Sequence, residues 1–217
     1  MKRLKCGLRI MAIYKITDLK QGLKNPDRVN VFVDEKFAFS LDISQVVDFG
    51  IKVGMEISAE DLAEFKRDSE FGKLYQRTLE WVLVRPRSIR ETNDYLYKKI
   101  FEKKLDKNYI DRIIEKLKDK KYLDDYRFCE YYVENRFVKK GVSLKRLRME
   151  LMKKGISKEI IEEVLADSDR NDEEELKKMI AKKRAKYDDE KLTAYLVRQG
   201  FQYDLVRELV AQTSEMD

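Results

Sequence analysis

The strongest constraint on what this chain can fold into is a spacing. The stretch SLKRLRMELMKKGI (143–156) returns 45 residues later in DEKLTAYLVRQGF (189–201), pairing Leu151 with Leu196, Lys153 with Arg198, Gly155 with Gly200 and Ile156 with Phe201. The segment that follows keeps the offset, with Ile160, Ile161, Val164 and Leu165 matching Leu205, Val206, Leu209 and Val210. An earlier copy, SIRETNDYLYKK (88–99), carries Ser88, Leu96, Lys98 and Lys99 at positions 55 residues before Ser143, Leu151, Lys153 and Lys154. Its next apolar group, Ile113, Ile114 and Leu117, comes late because IFEKKLDKN intervenes. Such a period, with three helical segments per copy, predicts a mainly α chain of three tandem three-helix repeats. Each unit is expected to need its neighbour to complete its core, giving an elongated, curved array over residues 71–121, 122–167 and 168–217.

Local chemistry supports helices at these places. Charged residues make up 41% of the chain against only 2 Pro and 8 Gly, a balance that favours helix over turn-rich sheet. Ser88 with Glu91 forms a capping-box pattern, Pro86 closes the helix before it, and Gly141, Gly155 and Gly200 stand where left-handed C-caps are wanted. Asp172, Glu173, Glu174 and Glu175 suit a helix N-terminus, and Lys182, Lys183, Arg184 and Lys186 its C-terminus.

The first seventy residues follow another rhythm. RVNVFVDEKFAFSLD alternates Val29, Val31 and Val33, then Phe37, Phe39 and Leu41, around an Asp34-Glu35-Lys36 turn, which is hairpin spacing. NPDR (25–28) supplies the preceding turn, YKITDLKQ a further strand, and Ser58 before AEDLAEFKR caps a short helix. A small β-rich module is expected over residues 1–70, its Phe and Val residues in a core. Residues 1–11 are expected to be a disordered leader, with Met11 an alternative start.

Most catalytic chemistries are disfavoured. There is no histidine, which removes the commonest general base, nucleophile activator and metal ligand together. Cys6 and Cys129 form no CxxC pattern, so neither a disulfide framework nor a zinc site is expected, and a reducing compartment is implied. Asp124 and Asp125 fit a helix start better than a metal or acid–base site, and no GxxxxGK[ST] or GxGxxG occurs. No catalytic residue, metal or cofactor is expected. No apolar span of membrane length occurs, and Arg9 and Lys15 interrupt the opening segment, so a cytoplasmic monomer is expected.

Charge is unevenly spread. Residues 1–70 are neutral, residues 71–156 carry 24 Lys and Arg against 13 Asp and Glu, and residues 157–217 carry a net −5. The basic middle points to an anionic partner, a polyanion or an acidic protein surface. Its densest part, NRFVKKGVSLKRLRMELMKKGI (135–156), sets Arg136, Lys139, Lys140, Lys145, Arg146, Arg148, Lys153 and Lys154 against the single carboxylate Glu150. On a helical wheel Leu144, Leu147 and Leu151 share one face, so the cations of that helix face outward. Arg85, Arg87 and Arg90 occupy the matching junction of the first unit. These eleven cations are the candidate binding surface, suited to phosphate contact without sequence reading. Phe128, Phe137 and Cys129 are expected in the core with Trp81, as are some of the rings of Tyr122, Tyr126, Tyr131 and Tyr132, base stacking being the alternative for this aromatic set. The carboxylates 172–175 form a possible patch for a protein partner.

YLDDYRFCEYYVENRFVKKGVSLKRLRMELMKKGI (122–156) resembles the signature of the RecX regulatory proteins: a YLDD-R-F opening, an Arg-containing helix end with Gly, and a basic helix closing on Leu-x-x-Lys-Gly-Ile. YLVRQGF (195–201) is similar to the end of that family's last repeat, and NPDRVNVFVDEKFAFSLD with KVGMEIS to the β-rich extension of some members. The resemblance implies a tandem three-helix repeat protein that binds the RecA recombinase filament and single- or double-stranded DNA. It further implies control of homologous recombination and the SOS response, usually by inhibiting filament growth or activity. From the residues alone two rivals stay open: a DNA-binding repeat protein acting without RecA, and a carboxylate-dependent nuclease.

Overall fold

The computed structural model describes residues 12–23 and 25–214, so Cys6, Met11 and the expected leader lie outside the described residues. The chain divides into two compact units, one ending at Glu80 and one beginning at Trp81.

In the first unit, strands β1 (Ile13–Gln21), β2 (Arg28–Val33), β3 (Lys36–Asp42) and β4 (Glu56–Ser58) form an antiparallel sheet in the order β3-β2-β1-β4. Helix α1 (Ile43–Asp48) follows the hairpin. The hairpin turn is one residue shorter than its sequence suggests, because Lys36 pairs with Val33. Only Asp34 and Glu35 turn, both at positive φ (48° and 68°), as a two-residue loop with the twist of its strands requires. A bulge sets Val31 opposite Phe39 but Phe32 opposite Phe37. That extra residue breaks the alternation. Phe39 and Leu41 therefore enter the core with Ile16, Val31 and Phe65, while Phe37 is turned out at 55% exposure against the edge of Phe32.

Ser58 caps helix α2 (Ala59–Leu83) as expected: the Asp61 amide donates to Ser58 Oγ at 3.0 Å, and the Ser58 amide donates back to Asp61 at 2.9 Å. The helix does not stop near residue 67. With no Pro or left-handed residue before Pro86, it continues for 25 residues, through the break expected at 70.

The second unit holds α3 (Ile89–Lys103) and α4 (Tyr109–Asp119), then α5 (Asp125–Asn135), α6 (Leu144–Lys153) and α7 (Lys158–Asp167). Next come α8 (Asp172–Lys183), a single 3₁₀ turn, α9 (Asp189–Arg198) and α10 (Tyr203–Ser214). The repeat is visible in the packing. Leu147, Leu151 and Ile161 are buried in α6 and α7, and their counterparts Leu192, Leu196 and Val206 are buried in α9 and α10, none more than 1% exposed. Gly155 and Gly200 follow the ends of α6 and α9 at positive φ, as C-caps do. Gly141 does not cap a helix, because α5 ends six residues earlier.

The expectation that each unit needs its neighbour to complete its core is corrected for the second and third repeats. Apolar residues 128–165 cluster among themselves, as do residues 176–210. Helices of 10 to 12 residues in a triangle already enclose nine or ten buried apolar side chains per repeat. What joins one repeat to the next is polar.

Candidate functional site

The joint between repeats is built twice from the same parts. Ser88 and Ser143 cap α3 and α6, accepting the Glu91 and Arg146 amides at 3.0 and 3.2 Å. Each hydroxyl then donates its own proton to the carbonyl that ends the middle helix of the following repeat: Ser88 to Lys154 at 2.8 Å, Ser143 to Gln199 at 2.7 Å. The first helical amides, of Ile89 and Leu144, donate to Asp125 (2.9 Å) and Asp172 (2.8 Å), which open the first helix of that same following repeat. Orphan amides at one helix start and orphan carbonyls at another helix end are thus satisfied across the joint. Asp188 holds the serine's place in α9; it is exposed and accepts the Lys191 amide at 2.8 Å. An ionised carboxylate has no proton to donate onward.

This accounts for several acidic residues. Asp124 caps α5 as expected, accepting from Tyr126 and Arg127, but Asp125 reaches across the first joint. Burial raises the pKa of its carboxyl, with the Ile89 amide opposing. The acidic run of α8 does not form one outward patch. Asp172 serves the second joint, and Glu175 is 1% exposed, accepting the Val142 amide at 2.9 Å. Glu173 and Glu174 stay exposed and share Lys177. The reach of each serine into the next repeat, and the Asp pair beside it, were missed in the sequence; aligning Asp125 with Asp172 beside the Ser88–Ser143 match would have pointed to them.

Beside each joint lies a pocket of about 370 Å³. The first is lined by Arg85, Tyr131, Tyr132, Asn135, Arg136 and Lys154. Its cations are neutralised: Glu91 pairs with both Arg85 and Lys154, and Glu150 takes Arg136 at 2.7 Å. The second is lined by, among others, Phe137, Lys140, Arg146, Lys182, Lys183 and Tyr195. There Arg146 bonds Glu150 at 3.1 Å and the Gln199 side chain, while Lys140, Lys182 and Lys183 have no carboxylate partner among the described residues. Phe137 between these features is held at φ 51°, a left-handed conformation that bulky residues avoid, beneath the Arg136 guanidinium at 3.7 Å.

The remaining candidate cations divide. Arg148 is paired to Glu162 through two bonds of 2.8 and 2.9 Å, so its charge is largely satisfied. Lys139, Lys145 and Lys153 are exposed, and exposed Arg90 lays its stem against Gly155. Arg87 lies over Trp81 at 3.9 Å, and Trp81 stacks on Tyr95 at 4.4 Å, so the indole expected in the core is half-buried in a sandwich. Phe128 and Cys129 are fully buried, burial pushing the thiol up to about 12. Among the described residues no acidic, Cys or His cluster could hold a metal ion, and no helix is long and apolar enough to cross a membrane.

Glu150 is the organising carboxylate. Burial works against its charged form, but hydrogen bonds from Arg136, Tyr132 and Arg146 overcome it and hold the carboxyl at about 2. Burial and the same bond push the Tyr132 hydroxyl up to about 12. A depressed folded-state pKa stabilises above the unfolded value of about 4.3, and that stability is lost as pH falls towards the folded value. Glu150→Gln is therefore expected to cost about 2 kcal/mol at neutral pH, allowing for the partial exposure of both arginines, and to differ little from the parent near pH 2. Urea denaturation across pH checks this; a difference that persisted at acid pH would contradict the assignment.

Two family models match, Regulatory protein RecX N-terminal domain over residues 14–58 and RecX, second three-helix domain, over residues 124–165. The Regulatory protein RecX of Bacillus licheniformis is 32% identical over 206 residues, spanning 91% of this chain and 77% of the relative. That of Clostridium perfringens is also 32% identical over 206 residues, spanning 90% and 94%. A crystal structure of a regulatory protein RecX is similar with a TM-score of 0.67 at 23% identity, covering 92% of this chain and 99% of the other. That of RecX from Lactobacillus salivarius gives 0.52 at 24%, covering 68% and 97%. At these identities the structural likeness speaks for the fold.

Proposed function

This chain belongs to the RecX family of regulatory proteins, and on that premise we propose that it binds the RecA recombinase filament and the DNA in its groove. It acts without catalysis, inhibiting filament extension or activity, and so regulates homologous recombination and the SOS response in the cytoplasm.

One observation carries this reading. At the same place on each middle helix stands an exposed apolar residue followed by an exposed cation: Tyr97 and Lys98 on α3, Met152 and Lys153 on α6, Val197 and Arg198 on α9. The apolar members are 55%, 56% and 37% exposed, so each repeat leaves a contact unspent on its own core. A protein surface can cover the apolar member, and phosphate or a carboxylate can meet the cation. A surface that recurs along a chain suits a partner that itself recurs, since weak contacts made together multiply. A filament of identical subunits on DNA is such a partner.

The test is RecA ATPase activity on single-stranded DNA. The protein is expected to inhibit at substoichiometric amounts without sequestering free DNA. The charge-reversed K98E/K153E/R198E is expected to need at least about tenfold more protein for equal inhibition. Inhibition that only tracks loss of free DNA would instead indicate a DNA-binding protein acting without RecA, and equal potency of the variant would remove the middle helices from the interface.

A further inference from the structure

The two joint pockets occupy equivalent positions, and comparing them residue by residue separates their roles. Arg85 corresponds to Lys140, each three residues before the joint serine, and Glu91 corresponds to Arg146, each three residues after it. Asn135 at the end of α5 and Arg136 just after it correspond to Lys182 and Lys183 at the end of α8, and Lys154 to Gln199. Two of these exchanges matter most. Where the first pocket has a carboxylate that binds two of its cations, the second has a further cation; where the first has a neutral amide, the second has a lysine.

We propose that the second pocket is a seat for a backbone phosphate of nucleic acid, and that the first is closed to phosphate by its own Glu91. The inference rests on the DNA half of the proposed function and assigns it to one place. The chemistry is specific. Lys140 approaches from the loop before α6, and Lys182 and Lys183 from the end of α8, with Arg146, held by Glu150, at the wall between them, so unpaired charge converges from two segments on one concavity. Lysines with no carboxylate partner among the described residues can trade their counterions for phosphate, which is the source of salt-dependent binding. Tyr195 and Phe137 add ring faces at the wall, with Lys183 at 5.4 Å from the first and Lys140 at 5.9 Å from the second. A nucleotide next to a seated phosphate finds a stacking surface there. Paired Arg85 and Lys154 can bind phosphate only by giving up Glu91, an exchange with little net gain.

The experiment needs no RecA and uses the full chain. Binding of a fluorescein-labelled oligothymidylate is followed by anisotropy over a salt series for the parent, K182Q/K183Q, the charge-keeping K182R/K183R, and R85Q/K154Q in the first pocket. Each single-strand phosphate neutralised adds about 0.7 to the slope of log affinity against log salt, so loss of this one seat in K182Q/K183Q is expected to lower the slope by about 0.7 and weaken low-salt binding about tenfold. K182R/K183R and R85Q/K154Q are expected to match the parent. An unchanged slope in K182Q/K183Q, or an equal loss in R85Q/K154Q, overturns this assignment alone. A parent that binds no oligonucleotide at low salt overturns it together with the DNA half of the proposed function, leaving RecA inhibition to stand or fall on the ATPase assay.

Discussion

Glu175→Ala is expected to destabilise the second unit by about 3–5 kcal/mol, the cost of breaking a buried ion pair from one side. The carboxylate is 1% exposed and meets three groups: the Val142 amide at 2.9 Å, Lys178 at 2.8 Å and Arg170 at 3.9 Å. Arg170 is the sensitive partner. Its side chain is 10% exposed, and both terminal guanidinium nitrogens lack hydrogen-bond partners among the described residues, so the Glu175 charge is the ion-pair partner set against its burial. Alanine would leave a buried cation and a buried amide unsatisfied together. Glu175→Gln, which keeps an acceptor for Val142 but removes the charge, is expected to cost about half as much. Urea denaturation reads the total, and amide exchange at Val142 reads the location. A Glu175→Ala protein within about 1 kcal/mol of the parent would rule out this role.

Gly141→Ala is expected to cost about 3 kcal/mol or more, from two separable causes. The residue sits at φ +77°, where a β-carbon is strained, and that carbon would collide with the Glu175 carbonyl oxygen and come 2.7 Å from Met179 Cγ. A carbonyl on a helix cannot step aside as a flexible side chain can, so α8 would have to move away from the joint. Gly54→Ala is the control for the first cause: φ is +89°, but nothing lies within 4 Å of the added carbon. It is expected to cost only about 1 kcal/mol. Thermal unfolding of both variants separates the causes, and equal costs would show that close approach to α8 is unimportant.

Much of the fold was legible because periodicity reports burial directly. Leu147, Leu151, Leu192 and Leu196 stand at helical spacing and are fully buried, and Val31, Phe39 and Leu41 alternate as a strand does. Phe37 escaped because a bulge shifts the phase of that alternation without leaving a mark in composition. The length of α2 escaped for the opposite reason: a helix continues by default until something stops it, and residues 59–83 hold no such stop.

The candidate site was legible as a list of cations but not as a distribution of free charge. Arg136, Arg146 and Arg148 look alike in sequence to Lys139 and Lys153, yet the first three are engaged by Glu150 or Glu162. Lys182 and Lys183 looked like ordinary helix-end cations, and only the joint turns them towards the pocket.

By itself the sequence determined the repeats, their helices, the apolar face of each and the family, since all of these are encoded by residues near one another in the chain. The tertiary structure decided how repeats join and which cations remain unpaired. Glu91 meets Lys154 across 63 residues, and Ser143 meets Gln199 across 56. Charge pairing at such separations depends on which helix ends the fold brings together, and no local pattern records it.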